Sequence, residues 1–388
     1  MKKVSYFISH PIQYQTPMLQ YLNENLDNVD LEVVYFTKHT LGGLDKQFGL
    51  NINWDIPLLQ GYKFIFLKNY SFKPAVSGSF FGLVNFGVIN YLIKRKPEFI
   101  IVHGWSYLTN ILLLLVAKML QIKVILRAES PLSAEKNKSK FNHLIKKWIL
   151  EFSDRFLYIG VENKAFYQFF GISNSKLFYA PYCVDNDRFI NSQKNFFESR
   201  DSIRNKFNIP HQNKLLLFCG KLIDKKRPLD IVMALNQIKR DDISLIYVGT
   251  GNLKNEIDNY IKDNNVINIH FSGFVNQTEL YKYYLSSDLF VLPSTFGETW
   301  GLVVNEAMLH SLPVLVSDHV GCVPDLVNWG ENGYSYECGN IKELSSRIDQ
   351  LCSMDKIILD EMGAKSFDII NNFSFKEVLC AVKLSLES

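Results

Sequence analysis

Two glutamates eight positions apart, Glu298 and Glu306, are the residues of this sequence whose type and spacing could do chemistry. They lie in the stretch from Asp288 to Asp318. Leu289–Leu292 is an apolar run of the length of a buried strand. Pro293 to Gly297 breaks it as a loop, Gly301–His310 has helical spacing, and Pro313–Val316 reads as a second strand. A strand, polar loop, helix and strand make a parallel crossover unit. Glu298 then falls beyond the carboxyl end of a strand, where open α/β sheets bind ligands. Thr299, Trp300, Gly301 and Leu302 offer backbone N–H groups at the helix start, with the positive dipole end behind them. Gly301 has no side chain to keep an anion away, and Glu306 could accept hydrogen bonds from a pair of neighbouring hydroxyls. The arrangement suits a ligand with a sugar, a diphosphate and a ribose in line. For two glutamates taken alone, a helix-terminal carboxylate and a solvated helix residue are the plainer alternative.

The string P-S-x-x-x-E-T-W-G-L-V-x-x-E-A-M resembles the E-x7-E signature of the retaining glycosyltransferases of family 4. The resemblance implies the GT-B fold: two Rossmann-like parallel-sheet α/β domains facing a central cleft, with a C-terminal helix crossing back to the N-domain. It implies that Glu298 contacts the donor sugar and Glu306 holds the nucleotide ribose, with Thr299, Trp300, Gly301 and Leu302 also on the donor. Gly220-Lys221-Leu222-Ile223-Asp224-Lys225-Lys226 resembles the family's G-R-L-x-x-x-K loop, which neutralises the donor diphosphate. Lys226 takes the lysine position, and Lys221 stands where the family has arginine, keeping the charge without the bidentate fork. Phe271 to Val275 resembles the base-binding turn, with the backbone of Phe274 and Val275 reading the nucleotide's edge. His103-Gly104-Trp105-Ser106 resembles the histidine loop that faces the anomeric carbon, which makes His103 a second catalytic candidate beside Glu298.

Two more residue groups lie at strand ends in the first half. The Ser9–Gln15 loop stands where family members carry a glycine-rich loop, and this chain has none. His10 and Gln13 either replace those phosphate contacts or serve the acceptor; alternatively Pro11 turns the chain and His10 caps it. Arg127 and Glu129 either line an acceptor pocket or pair with each other.

These residues need a scaffold of alternating strands and helices, and the first half supplies one. Its expected strands are Val4–Ser9, Leu31–Thr37, Lys63–Leu67, Phe99–His103, Lys123–Arg127, Asp154–Ile159 and Lys176–Pro181. Leu215–Cys219 opens the second half, and helical patterns over Ile341–Cys352, Lys356–Asn371 and Phe375–Leu386 close it. At 388 residues the chain exceeds what one core supports. The expected division is an acceptor-side domain over 1–190, a linker over 191–212, a nucleotide-sugar domain over 213–372, and a returning helix over 373–388. Val248-Gly249-Thr250-Gly251 lacks the third glycine and the later acid of a dinucleotide fingerprint.

A net charge of +3 gives no reason to expect nucleic acid as a partner. The six cysteines form neither a C-x-x-C pair nor a dense disulfide framework, and read as core residues in a reducing compartment with no metal site. The apolar run after Lys3 is too short for a signal peptide, and none approaches the ~20 residues that span a bilayer. Lys136 to Trp148 carries five lysines and no acid, with Phe141, Leu144, Ile145 and Trp148 at helical spacing. Such a helix suits an anionic membrane surface or a pyrophosphate-linked lipid, or else packs its apolar stripe on the sheet.

The resemblance implies a metal-independent retaining transferase with no cofactor. It would move a hexosyl or hexosaminyl group from a UDP- or GDP-sugar to a hydroxyl on a glycan or lipid-linked acceptor of surface-polysaccharide assembly. It would be cytoplasmic, on the inner face of the cytoplasmic membrane if the lysine-rich helix binds there. The alternatives are a nucleotide-sugar 2-epimerase on the same fold, for which no second carboxylate pair is evident, and a non-catalytic sugar-nucleotide-binding subunit.

Overall fold

The computed structural model describes residues 1–38, 44–45, 50–51, 54–76, 78–136, 138–192 and 196–387. The chain divides into two units, one of Met1–Gly43, Pro57–Tyr182 and Phe375–Ser388, the other of Leu44–Ile56 and Cys183–Ser374.

The first unit holds β1 (Lys2–Ile8), β2 (Val29–Tyr35), β3 (Lys63–Phe66), β4 (Phe99–His103), β5 (Lys123–Arg127), β6 (Arg155–Tyr158) and β7 (Leu177–Tyr179). They form one parallel sheet in the order β3-β2-β1-β4-β5-β6-β7. Its central strands are near-continuous apolar runs because helices cover both faces; Phe7, Val34, Ile100, Val102, Val124 and Leu126 are buried in one core.

The second unit holds β8 (Lys214–Cys219), β9 (Ile243–Val248), β10 (Ile269–Gly273), β11 (Leu289–Leu292), β12 (Val314–Ser317) and β13 (Gly333–Tyr336), parallel in the order β10-β9-β8-β11-β12-β13. Counted within each unit, both sheets run third, second, first, fourth, fifth, sixth, and the first sheet adds a seventh strand at its edge. That is the Rossmann order, in which the direction of winding reverses between the first and fourth strands and a ligand crevice opens at their carboxyl ends. The reversal lies between β1 and β4 in the first unit and between β8 and β11 in the second. It brings the Ser9–Gln15 loop beside His103, and the Gly220–Arg227 loop beside the Pro293–Gly301 loop.

Two features depart from the sequence reading. The chain leaves the first unit between Tyr182 and Cys183. The segment read as a linker, of which 193–195 lie outside the described residues, contains the helix Phe196–Lys206. Within it the fully buried Arg204 donates to Asp288 Oδ2 at 2.7 Å and to the Pro210 and Asn213 carbonyls at 3.1 Å. A polar, weakly periodic sequence hid an element whose buried face joins an arginine to Ile203. The final helix, Phe375–Glu387, belongs to the first unit; Lys2 Nζ donates to the Leu386 carbonyl at 2.8 Å, and Lys383 pairs with Asp27 at 3.0 Å.

Candidate functional site

In the second unit, the loop after β11 is built around backbone that only glycine tolerates. Gly301 has φ +94°, and a Cβ there would stand 2.9 Å from Val320. A Cβ on Gly321 would stand 2.0 Å from the Thr299 carbonyl oxygen, while Gly321 N–H donates to the Glu298 carbonyl at 3.0 Å. The loop after β12 therefore lies directly against Glu298. From the other side, Thr295 N–H donates to the Lys225 carbonyl at 2.9 Å.

The side chains follow. Lys226 Nζ lies 2.7 Å from Glu298 Oε2 and Lys225 Nζ lies 3.4 Å from the same atom. Lys226 and Glu298 are largely buried, whereas Lys225 is more exposed. Burial would raise the Glu298 pKa, but the two ammonium groups outweigh it and hold the carboxyl below its usual 4.5. Glu298 is thus a fixed anion beside a largely buried cation.

Glu306, on the helix Leu302–Leu309, meets a different environment. It is buried, and Tyr284 Oη donates to its Oε2 at 2.7 Å. Burial raises its pKa above 4.5, outweighing the Tyr284 hydrogen bond and the charges of Arg188 and Lys226. Around it the helix and its neighbour interlock. His310, one turn on, donates from Nδ1 to the Glu306 carbonyl at 2.7 Å and stacks on Tyr284 with centroids 5.1 Å apart. Burial pushes the His310 pKa down to about 4, so its ring is neutral, and pushes the Cys219 thiol beside Tyr284 up to about 12. Lys226 acts on Glu298, Glu306 and Cys219 alike. One ammonium therefore lies among the ends of β8 and β11 and the following helix.

The other donor candidates divide. The first N–H groups of the helix Leu302–Leu309 lack intrahelical acceptors, but the Trp300 side chain is buried, with Nε1 donating to Asn305 at 2.8 Å. Its ring is structural. Lys221, in the turn after β8, is half-buried. Phe274 and Val275 follow Gly273, whose φ is +73°, at the end of the edge strand β10. There Trp54 packs edge-on against Phe274 at 6.1 Å, and Asp55 Oδ2 accepts from Thr278 N–H at 3.0 Å. Residues 44–56, from the first half of the chain, thereby belong to the second unit.

The first unit's cluster is different in kind. His103 ends β4, with Nε2 2.9 Å from Glu129 Oε1 and Nδ1 3.2 Å from the Tyr6 hydroxyl. The network assigns the tautomer: Nε2–H donates to the carboxylate and Nδ1 accepts from Tyr6. Burial pushes the Tyr6 phenol up to about 12, so it stays protonated as a donor. Burial would raise the Glu129 pKa, but His103, Tyr182 and Arg127 together hold it below 4.5. Arg127 is 1% exposed and lies 6.0 Å over the Tyr182 ring, and its Nε has no hydrogen-bond partner among the described residues. It forms no ion pair with Glu129 among those residues, and acts on it at longer range. Tyr14 packs edge-on to Tyr182 at 5.7 Å, which ties the Ser9–Gln15 turn to the cluster. His10 Nδ1 lies 2.9 Å from Ser9 Oγ, and Gln13 is half-buried in the same turn.

Sequence reasoning passed over Tyr284, His310, Tyr6 and Tyr182, and named Lys225 only within the loop that carries Lys226. Only His310 left a trace, since it stands four positions after Glu306 on one helix face. His319 was also missed; it stacks on Phe296 at 3.4 Å, and its Nδ1 lies 3.4 Å from Thr295 Oγ1.

Residues 199–365 match the family described as glycosyl transferases group 1. Spore coat protein SA of Bacillus subtilis is 30% identical over 165 residues, 40% of this chain and 43% of the relative. The N-acetyl-alpha-D-glucosaminyl L-malate synthase of Bacillus anthracis is 27% identical over 183 residues, 46% of each chain. The matched stretch thus spans less than half the length of either relative. The structure of Anabaena Alr3699/HepE in complex with UDP and glucose superimposes with a TM-score of 0.73 at 16% identity, covering 100% of both chains. The chain has the fold of that protein, GT-B with two Rossmann-like units.

Proposed function

We propose that this chain, which carries a group 1 glycosyl transferase domain over residues 199–365, is a metal-independent retaining glycosyltransferase. The observation that supports this best is the Lys226–Glu298 pair, at 2.7 Å, placed where the winding of the second sheet reverses and beside the buried Glu306. A donor diphosphate leaves as an anion, and a cation already fixed in place stabilises that charge without reorganising. Lys226 supplies it, with Lys221 on the same loop. Glu298, held ionised, accepts hydrogen bonds from sugar hydroxyls, and Glu306 accepts from the ribose. The Phe274–Val275 backbone takes the base. The donor is a UDP-sugar, in keeping with the UDP bound by the Anabaena protein of the same fold.

On the first unit the His103–Glu129–Tyr182 cluster positions a hydroxyl acceptor. Attack comes from the face the leaving group departs, and a leaving phosphate oxygen takes the acceptor proton. The acceptor is a glycan or lipid-linked intermediate of surface-polysaccharide assembly in the cytoplasm. A lipid-linked acceptor is favoured by the helix Lys140–Leu150, whose Phe141, Leu144, Ile145 and Trp148 all face solvent rather than the sheet. Among the described residues no helix is long and apolar enough to cross a membrane.

The test is a thermal-shift panel of UDP, GDP, ADP and their common sugars without added metal. One nucleotide is expected to raise the melting temperature, and Glu306→Ala to remove that rise. A folded protein indifferent to every nucleotide would sink the reading.

A further inference from the structure

Just after the chain passes into the second unit, the helix Asn186–Ser192 carries Arg188, which none of the donor contacts proposed above employs. Arg188 N–H donates to Asp185 Oδ1 at 3.1 Å, which steadies the start of the helix. The next residue, Phe189, is buried and meets the His310 ring edge-on at 5.6 Å. This helix is therefore packed against the one that bears Glu306. From there the Arg188 side chain reaches the turn after β10, where Nη2 donates to Gln277 Oε1 at 2.8 Å. The turn is itself held in place: Asn276 Oδ1 accepts from Gln277 N–H at 3.1 Å, and Asp55 Oδ2 accepts from Thr278 N–H at 3.0 Å.

Two features make this pair more than a brace. Arg188 Nε is buried and has no hydrogen-bond partner among the described residues. A buried donor left unmet is costly, so an arginine that only ties two segments together would not keep one. The second feature is the orientation of Gln277. A guanidinium only donates, so the amide meets it with Oε1 and turns its Nε2–H groups away. The pair thus offers N–H donors, and its one side-chain acceptor is already engaged.

The charges give its place along the site. Lys226 lies 2.7 Å from Glu298, and Lys226 and Arg188 both act on Glu306 against the burial that raises its pKa. Glu306 is flanked by a cation on the loop after β8 and by another that touches the turn after β10. A nucleotide with its diphosphate at Lys226 and its ribose at Glu306 carries its base towards Arg188 and Gln277.

We propose that Arg188 and Gln277 select the base of the nucleotide, taking one with a carbonyl and not an amino group at the edge they face: uracil over cytosine, guanine over adenine. The carbonyl oxygen of uracil or guanine accepts from these donors. The amino group of cytosine or adenine would set donor against donor and leave the N–H groups unmet. The inference rests on the donor reading above and adds to it the residues that choose the base.

The experiment is calorimetry of the full chain with UDP, CDP, GDP and ADP, beside melting curves of each variant without nucleotide. The wild type is expected to bind UDP about ten-fold more tightly than CDP, and GDP more tightly than ADP, on the scale of a hydrogen bond to a charged group. Arg188→Met keeps an apolar stem and removes the donors. UDP should then weaken about ten-fold while CDP changes about two-fold or less, so that the two affinities converge. Gln277→Glu puts an acceptor where the amide N–H groups were, and should move the preference towards CDP. An equal loss of UDP and CDP affinity in Arg188→Met would show a brace only; it would overturn the proposal and leave the donor reading standing. An unchanged UDP-to-CDP ratio in Gln277→Glu, or a wild type that binds CDP as tightly as UDP, would overturn it as well. A folded wild type that binds none of the four nucleotides would overturn the donor reading and this inference together.

Discussion

The two units share a strand order and a point of reversal, yet they place opposite chemistry there. In the second unit the reversal holds lysines against one carboxylate and a buried tyrosine against another. In the first it holds a histidine whose two ring nitrogens are both engaged, by Glu129 and by Tyr6. The sheet fixes where a site forms, and the residues of the loops beyond its strands decide what the site does. The second unit presents fixed charge, suited to a leaving diphosphate; the first presents a hydrogen-bonded network, suited to orienting a hydroxyl. If this contrast is right, changes in the two units must separate donor binding from transfer.

The largest effect belongs to Lys226. Lys226→Ala removes the largely buried cation and leaves Glu298 with the weaker, more exposed Lys225. Transfer measured with saturating donor should fall about 100-fold, the scale of losing one preorganised charge at a reacting centre. Lys225→Ala should cost far less, because its contact is longer and open to solvent. Equal losses in the two variants would dissolve the distinction between the fixed and the accessory cation.

Glu306 comes next, and its effect depends on pH. Glu306→Ala should weaken nucleotide binding about ten-fold or more, the scale of hydrogen bonds made to a charged group, as read by calorimetry. Stability should move the other way. A carboxyl whose folded pKa lies above its unfolded value of 4.5 adds stability below that value, and the contribution is lost as pH rises through the folded pKa. At neutral pH Glu306→Gln should therefore melt higher than the wild type without nucleotide, with the gap closing as pH falls towards 4.5. Glu298 has the opposite sign. Its folded pKa is depressed, so its contribution is present above 4.5 and is lost as pH falls through the folded value. At neutral pH Glu298→Gln should therefore melt lower than the wild type, opposite in sign to Glu306→Gln, and its gap should close only as pH falls below 4.5. Parallel curves for the two variants would show that their environments do not differ as described.

The same contrast explains what the sequence could disclose. Strands buried on both faces are unbroken apolar runs, and Phe99–His103, Lys123–Arg127 and Leu289–Leu292 can be read to the residue. Gly333–Tyr336 escaped because G-Y-S-Y has no such run. The second-unit cluster was legible in part because Glu298, the glycine at 301 and Glu306 lie in one stretch of chain, and their spacing itself carries the geometry. The first-unit cluster was legible only as separate candidates, His103 and Glu129; their meeting with Tyr6 and Tyr182 was not, because the four come from four separate strand ends and meet only when the sheet forms. Orientation was lost too. Periodicity shows that Phe141, Leu144, Ile145 and Trp148 share a helix face, but not that the face points to solvent. Trp300 shows the converse, a residue in the signature whose side chain turns inward to Asn305.

On the first unit, Glu129→Gln keeps the shape of the side chain but removes the charge that His103, Tyr182 and Arg127 surround. Because Glu129 belongs to a different unit from Lys226 and Glu306, nucleotide binding should not move, while transfer should fall about ten-fold, within the scale of one buried hydrogen bond to a charged group. A matching loss of nucleotide affinity would refute the division of labour.

The smallest and sharpest test makes one change twice. Each unit buries a tyrosine whose hydroxyl bonds a carboxylate, Tyr284 with Glu306 and Tyr182 with Glu129. Replacing either by phenylalanine removes one oxygen and leaves the ring packing in place, so each costs about 1 kcal/mol, or about five-fold in an equilibrium constant. The two losses should appear in different measurements. Tyr284→Phe should weaken nucleotide binding, and more strongly as pH falls, because the lost hydrogen bond is one that holds the Glu306 pKa down and the variant's carboxylate is protonated first. Tyr182→Phe should leave nucleotide affinity unchanged and slow transfer, with the KM for acceptor carrying most of the change. Should both variants shift the same quantity by the same factor, the two tyrosines serve only packing. The carboxylates they touch would then have to be positioned by the rest of each cluster, by Lys226 on one side and His103 on the other.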